Sequence, residues 1–164
     1  MALFRPKEKI DIFTDFHPDD YADRFDMIFL DIDNTMAEPD VGMLDERNRT
    51  FIQKLLEYHF KVVILSNNHE KRVTDFIEDM DISYKHFALK PLPFSYWQMC
   101  RRMKVKPSRT IMLGDQLLTD ILGANLSGCY GIYTKQLYKK DTPTTARNRK
   151  IENLIWRYLL HEKV

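Results

Sequence analysis

The sequence predicts an α/β fold: a doubly wound, mostly parallel sheet with helices on both faces, three layers in all. Three observations predict it. Short, wholly apolar runs recur at Met27–Leu30, Val62–Leu65 and Ile111–Leu113, as strands buried on both faces require. Amphipathic stretches separate them, which is the pattern of βαβ units. No internal repeat, low-complexity tract or long linker interrupts this alternation, so residues 1–164 read as a single domain of ordinary size.

The elements follow in order. Met27-Ile28-Phe29-Leu30 forms the first strand and ends at Asp31. Leu44 to His59 reads as a helix, because Phe51, Ile52, Leu55 and Leu56 share one face. Val62 to Leu65 is the second strand, Glu70 to Met80 the next helix, and a short strand is expected near Lys85 to Leu89. Pro93 opens a helix that runs to about Met103. A strand at Thr110 to Leu113 follows the Pro107-Ser108 turn, and Leu118 to Ser127 is helical. Gly128 suits the residue just past that helix, before a last strand at Cys129 to Tyr133. Thr142-Pro143 supplies an N-cap and first-turn proline for a closing helix to about His161. Its apolar stripe, Ile151, Leu154, Ile155, Tyr158 and Leu159, is expected to dock onto the core.

Composition narrows the function class. Hydrophobic residues make up 44% of the chain, enough for a substantial core, and the formal net charge is +1. That balance gives no reason to expect a nucleic-acid partner. Cys100 and Cys129 form no CxxC pair and the five histidines are scattered, so a zinc site is not expected and a reducing compartment is. No apolar run approaches the roughly 18 residues of a membrane span. Met1 to Lys9 lacks the apolar core of a signal peptide. The expectation is a soluble, cytoplasmic protein, with peripheral attachment to a membrane left open. Nothing in the composition specifies an oligomeric state.

In open parallel sheets, ligands bind beyond the carboxyl ends of the strands. Four segments fall on that edge. Asp31-Ile32-Asp33-Asn34-Thr35 places two carboxylates on one side of an extended backbone. One can attack phosphorus while the other moves a proton; alternatively, the pair caps a helix. Ser66-Asn67-Asn68 can hold phosphate oxygens at a helix N-terminus, or Ser66 can be an ordinary N-cap. Lys90 can neutralise a phosphoryl group, or be a solvated surface charge. Asp115 and Asp120, in Gly114-Asp115-Gln116-Leu117-Leu118-Thr119-Asp120, can join the first acids around a hard cation. Helix-dipole stabilisation also accounts for Asp120, but not for Gly114-Asp115 at the end of a buried strand. The order acid pair, serine, lysine, acid pair on successive strand ends is hard to obtain by chance.

That ordered set resembles the haloacid dehalogenase (HAD) superfamily of phosphohydrolases, with a Rossmann-like fold, from about Phe25 to Lys135. The resemblance implies Asp31 as the nucleophile, Asp33 as general acid and base, and Thr35, Ser66 and Asn67 as substrate-binding residues. It implies Lys90 as a stabilising catalytic residue that also touches the substrate. It further implies Mg²⁺ held by Asp31, the backbone carbonyl of Asp33 and Asp115, with Asp120 orienting Lys90 or metal-bound water. The acid at Asp33 favours phosphate over dehalogenase chemistry. The segments Thr35–Lys61 and Asn68–Lys85 leave no room for a cap domain, which resembles the capless subfamily III.

A closer resemblance is to the YqeG-type IIIA phosphatases, themselves similar to mitochondrial phosphatidylglycerophosphate phosphatases. It rests on Arg5-Pro6, Ser66-Asn67-Asn68-His69-Glu70, Lys90-Pro91 and the Gln-Leu-Leu-Thr filling of the last motif. It implies a phosphomonoester substrate, with a membrane glycerophospholipid as the leading candidate. Met36, Leu92, Leu117, Leu118, Leu137 and Tyr138, with Lys135, Lys139 and Lys140 nearby, can form an apolar rim around an uncapped site, or the leucines can equally pack beneath their loops. Arg101 to Lys106 lies at the opposite edge and reads as a solvated face. The alternatives are a phosphatase for soluble nucleotides or sugar phosphates, a phosphoaspartate receiver, and a non-catalytic binding module.

Overall fold

The computed structural model describes residues 2–39, 43–78, 80–138 and 140–161. Its sheet has six strands, all parallel: β1 (Glu8–Ile10), β2 (Met27–Leu30), β3 (Lys61–Leu65), β4 (Ser83–Lys85), β5 (Thr110–Gly114) and β6 (Tyr130–Thr134). The spatial order is β1-β6-β5-β2-β3-β4. Chain direction across the sheet reverses between β2 and β5, which creates the crevice where such sheets bind ligands.

The helices are α1 (Glu46–Glu57), α2 (Glu70–Ile77), α3 (Phe94–Met103), α4 (Leu122–Ser127) and α5 (Pro143–Leu154). Alternation along the strands sends side chains to two cores. Ile28, Leu30, Ile64, Ile111 and Leu113 pack with Phe51, Ile52, Leu55 and Phe76 of α1 and α2. Met27, Phe29, Val63, Leu65 and Met112 pack with Tyr96, Met99 and Cys100 of α3. Asp45 caps α1 by accepting the Asn48 amide at 2.8 Å, and Gly128 ends α4 at φ +83°. No helix among the described residues is long and apolar enough to cross a membrane.

Several elements differ from expectation. The short strand is Ser83–Lys85 rather than Lys85–Leu89, because only residues 83 to 85 pair with β3. α2 ends at Ile77, with Glu78 at positive φ. β1 has no apolar alternation to announce it; it is an edge strand held by its ladder to β6. The closing helix changes to π geometry over Ile155–Leu159, and this shifts its phase. Glu152, Ile155 and Trp156 share the buried face, and the π turn moves the next packed position from Leu159 to Leu160; Ile155, Trp156 and Leu160 pack against Leu117 and Ile121. Ile151, Leu154, Tyr158 and Leu159 face outward, and of the predicted stripe only Ile155 docks.

Candidate active site

Strand register assembles the site. Leu30 is level with Leu113 and with Ile64, so Asp31, Gly114 and Leu65 end their strands side by side. The Asp31 amide continues the ladder to the Leu113 carbonyl at 3.1 Å. Asp115 and Ser66 each lie one residue further on. Asp31, Lys90, Asp115 and Asp120 are all buried.

The Lys90 ammonium bridges two carboxylates, at 2.6 Å from Asp31 and 2.7 Å from Asp120. Burial pulls its pKa down, but the charges of Asp120 and Asp31 outweigh this and the net direction is up. Lys90 is reached by a cis Lys90–Pro91 bond and is clamped by the Asn67 side-chain amide. Asn67 accepts the Lys90 N–H at 2.7 Å and donates to its carbonyl at 3.1 Å. Asn67 thus positions the lysine, and it also lines the pocket. The Ser66 hydroxyl accepts the Asn68 amide at 3.1 Å. It caps no helix: the N-cap of α2 is His69.

Gly114 has a steric reason. A Cβ there would lie 2.4 Å from the Asp120 Cγ, so only glycine lets that carboxylate pack against the strand end. Both Asp120 oxygens are engaged, one by Lys90 and the other by the Gln116 amide at 3.1 Å. Thr35 donates to Asp115 at 3.0 Å, with Asp31 at 3.4 Å. Its hydroxyl therefore sits between the two acids, not on the pocket wall. Asp33 lines the pocket and is oriented by Asn68 at 2.7 Å and Arg72 at 3.0 Å.

Oxygens of Asp31, Asp115 and Asp120 lie within 4.8 Å of one another. Burial pushes the Asp31 carboxyl well above its usual range; Lys90 opposes this, while Asp120 and Asp115 add to it. Burial likewise raises Asp115 to about 6, against the pull of Arg149. Negative charge is thus concentrated in a dry cluster of hard oxygen donors, a set that fits a divalent cation. The trio includes the Asp120 side chain, whereas the family resemblance supplies the Asp33 carbonyl as the third ligand.

Three features were not anticipated. Arg149, on α5, donates to the Asp115 carboxylate and, at 2.6 Å, to its carbonyl. Glu152 accepts from Arg149 at 3.2 Å and from the Leu118 amide at 2.9 Å. Thr142, Thr144, Thr145 and Asn148 of the same segment wall the pocket, whose volume is about 270 Å³. The i, i+3 spacing of Arg149 and Glu152 was the available signal. Arg72, on α2 after the serine motif, was the other residue missed. The apolar rim is mostly absent: Met36 and Leu117 are buried, Leu118, Leu137 and Tyr138 half-buried, and Leu92 exposed. Lys135 and Lys140 are exposed, and Lys139 lies outside the described residues.

Comparison with known proteins places these features. The family described as mitochondrial PGP phosphatase matches residues 2–137. A Bacillus subtilis (strain 168) protein named "Probable phosphatase YqeG" is 35% identical over 128 residues, covering 78% of this chain and 74% of its own. Among solved structures, the cobalt-bound deoxy-D-mannose-octulosonate 8-phosphate phosphatase YrbI of Haemophilus influenzae superposes with a TM-score of 0.56 at 14% identity. That match covers 84% of this chain and 90% of the other. An uncharacterized Listeria monocytogenes serotype 4b protein also gives 0.56, at 16% identity, over 71% of this chain and 84% of its own. These two similarities concern the fold.

Proposed function

This chain belongs to the mitochondrial PGP phosphatase family and is a HAD-type phosphatase, and from that premise we propose a Mg²⁺-dependent phosphomonoesterase that works through an aspartyl-phosphate at Asp31. The observation that carries the reading is the Lys90 ammonium, buried between Asp31 and Asp120 at the pocket floor. An Asp31 oxygen attacks phosphorus as the bond to the leaving oxygen breaks, and Asp33 gives that oxygen its proton. Asp33 then takes a proton from the water that cleaves the acyl phosphate. Lys90 favours the ionised form of Asp31 against its burial and neutralises phosphoryl charge. Ser66 and Asn67, which line the pocket ahead of α2, receive phosphate oxygens. Asp31, Asp115 and the Asp33 carbonyl would hold Mg²⁺, which supplies further neutralisation of phosphate charge.

The substrate we propose is a glycerophospholipid phosphomonoester, phosphatidylglycerophosphate, reached by peripheral contact with a membrane. The family match supports this reading. So does the polar pocket, which has room for a phosphorylated glycerol and is walled on one side by the hydroxyls of Thr142, Thr144 and Thr145.

Phosphate release from dispersed phosphatidylglycerophosphate, with Mg²⁺ or EDTA, tests it for wild type and Asp31→Asn. Metal-dependent release abolished by the substitution is expected. Release from soluble sugar phosphates or nucleotides, with the lipid left intact, would keep the mechanism and remove the substrate.

A further inference from the structure

Exposed apolar side chains cluster around the catalytic lysine. Of the fourteen large hydrophobic residues exposed among those described, five fall between Phe87 and Trp97: Phe87, Leu89, Leu92, Phe94 and Trp97. The residues between them are turned inward, with Ala88, Lys90, Ser95 and Tyr96 buried. Lys90 lines the pocket while the apolar side chains on either side of it face outward as a lip; Trp97, one turn along α3 from Phe94, donates its indole N–H to the Ser127 carbonyl at 3.1 Å. Burial does not hold those side chains in place. Leu89 is 64% exposed and Phe94 68%.

The backbone also works to present them. Phe87 and Leu89 occupy the left-handed region, at φ 44° and 55°, which bulky residues adopt only when the surroundings impose it. The Phe87 and Ala88 amides, bonded to the Asn68 and Ser66 carbonyls at 2.9 Å, impose it here.

Charge selects the occupant. Phe94, Trp97, Arg101 and Arg102 lie at i, i+3, i+7 and i+8 on the exposed face of α3. Phe94 and Trp97 touch edge to face at 6.0 Å between centroids. No acid occurs from Ile82 to Gly114, and Arg101 and Arg102 continue the face as exposed cations; Lys104 and Lys106, also exposed, lie past the helix end, toward the start of β5. Aromatic residues beside arginines on a helix that itself carries no acid match an anionic lipid surface, although Arg102 also borders a cavity with Glu70 and Asp81. The same face on a second copy would set cations against cations in an isologous pair. The pocket, about 270 Å³ and lined by polar residues, admits a headgroup and leaves acyl chains outside, where this lip begins.

We infer that the Phe87–Trp97 lip and the outer face of α3 are the surface by which the protein sits on an anionic bilayer. The inference rests on the lipid-phosphate reading and specifies how that substrate is reached.

Co-sedimentation with vesicles tests it, comparing phosphatidylcholine alone with equal parts phosphatidylcholine and phosphatidylglycerol. Wild type is expected to bind the anionic vesicles, with a blue shift of Trp97 emission; Trp156 is buried in the core. Phe94→Ser with Trp97→Ser should lower binding about tenfold or more. Arg101→Glu with Arg102→Glu should lower it on anionic vesicles alone. Hydrolysis of p-nitrophenyl phosphate should stay close to wild type in both variants. Absence of wild-type binding would overturn the inference, as would wild-type binding by both double variants. Binding that Leu154→Ser with Tyr158→Ser abolishes instead, or self-association through the lip, would also overturn it. If p-nitrophenyl phosphate is not hydrolysed by wild type, the phosphatase reading fails, while the vesicle arms still decide the surface.

Discussion

The Arg149 guanidinium grips Asp115 at two points, its carboxylate and its backbone carbonyl, and so ties the closing helix to the end of β5. Asp115 is fully buried, so the pair stabilises chiefly by compensating a charge that has no water around it. Removing one partner of such a pair costs about 3–5 kcal/mol. We predict a loss of that order for Arg149→Ala in EDTA, with Arg149→Lys recovering part of it. A lysine restores the charge but not the fork. Thermal melts should also show a larger stabilising increment from Mg²⁺ in the alanine variant than in wild type, since a divalent cation would then supply the missing counter-charge.

Asp31→Asn separates stability from chemistry. The wild-type carboxyl is held in a dry site beside Asp120 and Asp115, and Lys90 keeps a second carboxylate partner without it. The amide should therefore leave the melting temperature in EDTA unchanged or higher, while phosphate release disappears. A fall of several degrees would show that the Lys90–Asp31 pair contributes more than its desolvation costs.

For Gly114→Ala the outcome is decided by one distance. The new methyl would sit 2.4 Å from the Asp120 Cγ, and neither the strand nor the carboxylate can yield without breaking the Lys90–Asp120 bond. Overpacking of this kind costs about 1–3 kcal/mol. Unfolding midpoints should fall accordingly, and activity should drop far more than the residual folded fraction explains.

Glu152 gives a pH signature. Burial raises it from 4.5 to about 7, against the Leu118 amide and Arg149. A carboxyl raised in the folded state binds its proton there first, so its stabilising contribution is complete below about pH 4.5 and is lost as pH rises to about 7. The full effect is on the order of 3 kcal/mol. Glu152→Gln should flatten the pH dependence of the melting temperature across that window in EDTA. An unchanged slope would assign the dependence to other groups.

The strand-end residues were legible because their signal is local. Asp31, Ser66, Lys90 and Asp115 each follow or approach an apolar run directly; the parallel register then brings Asp31, Ser66 and Asp115 to one edge, and Asn67 holds Lys90 beside them. Arg149 was not, because it stands among Arg147 and Lys150 on a helix rich in charge. Which of those cations meets an acid depends on how α5 docks, a tertiary fact. The closing stripe failed because Glu152, Ile155 and Trp156, not Ile151 and Leu154, carry the docked face, and a π turn then moves its next position from Leu159 to Leu160. β1 failed because three residues at a sheet edge carry no periodicity, and their partner lies more than a hundred positions away.

Few of the contacts that complete the site are local. Lys90 meets Asp31 across 59 positions and Asp120 across 30, Arg149 meets Asp115 across 34, and Asn34 reaches Asp141 across 107. Loop-closure entropy makes such encounters late events in folding. Asp31 is therefore synthesised early and acquires its partners last. A nascent chain that has released β2 and β3 carries Asp31 but neither its lysine nor its acid partners, and is chemically silent. Recovery of hydrolysis during refolding should lag behind formation of the sheet and keep time with docking of the final helix.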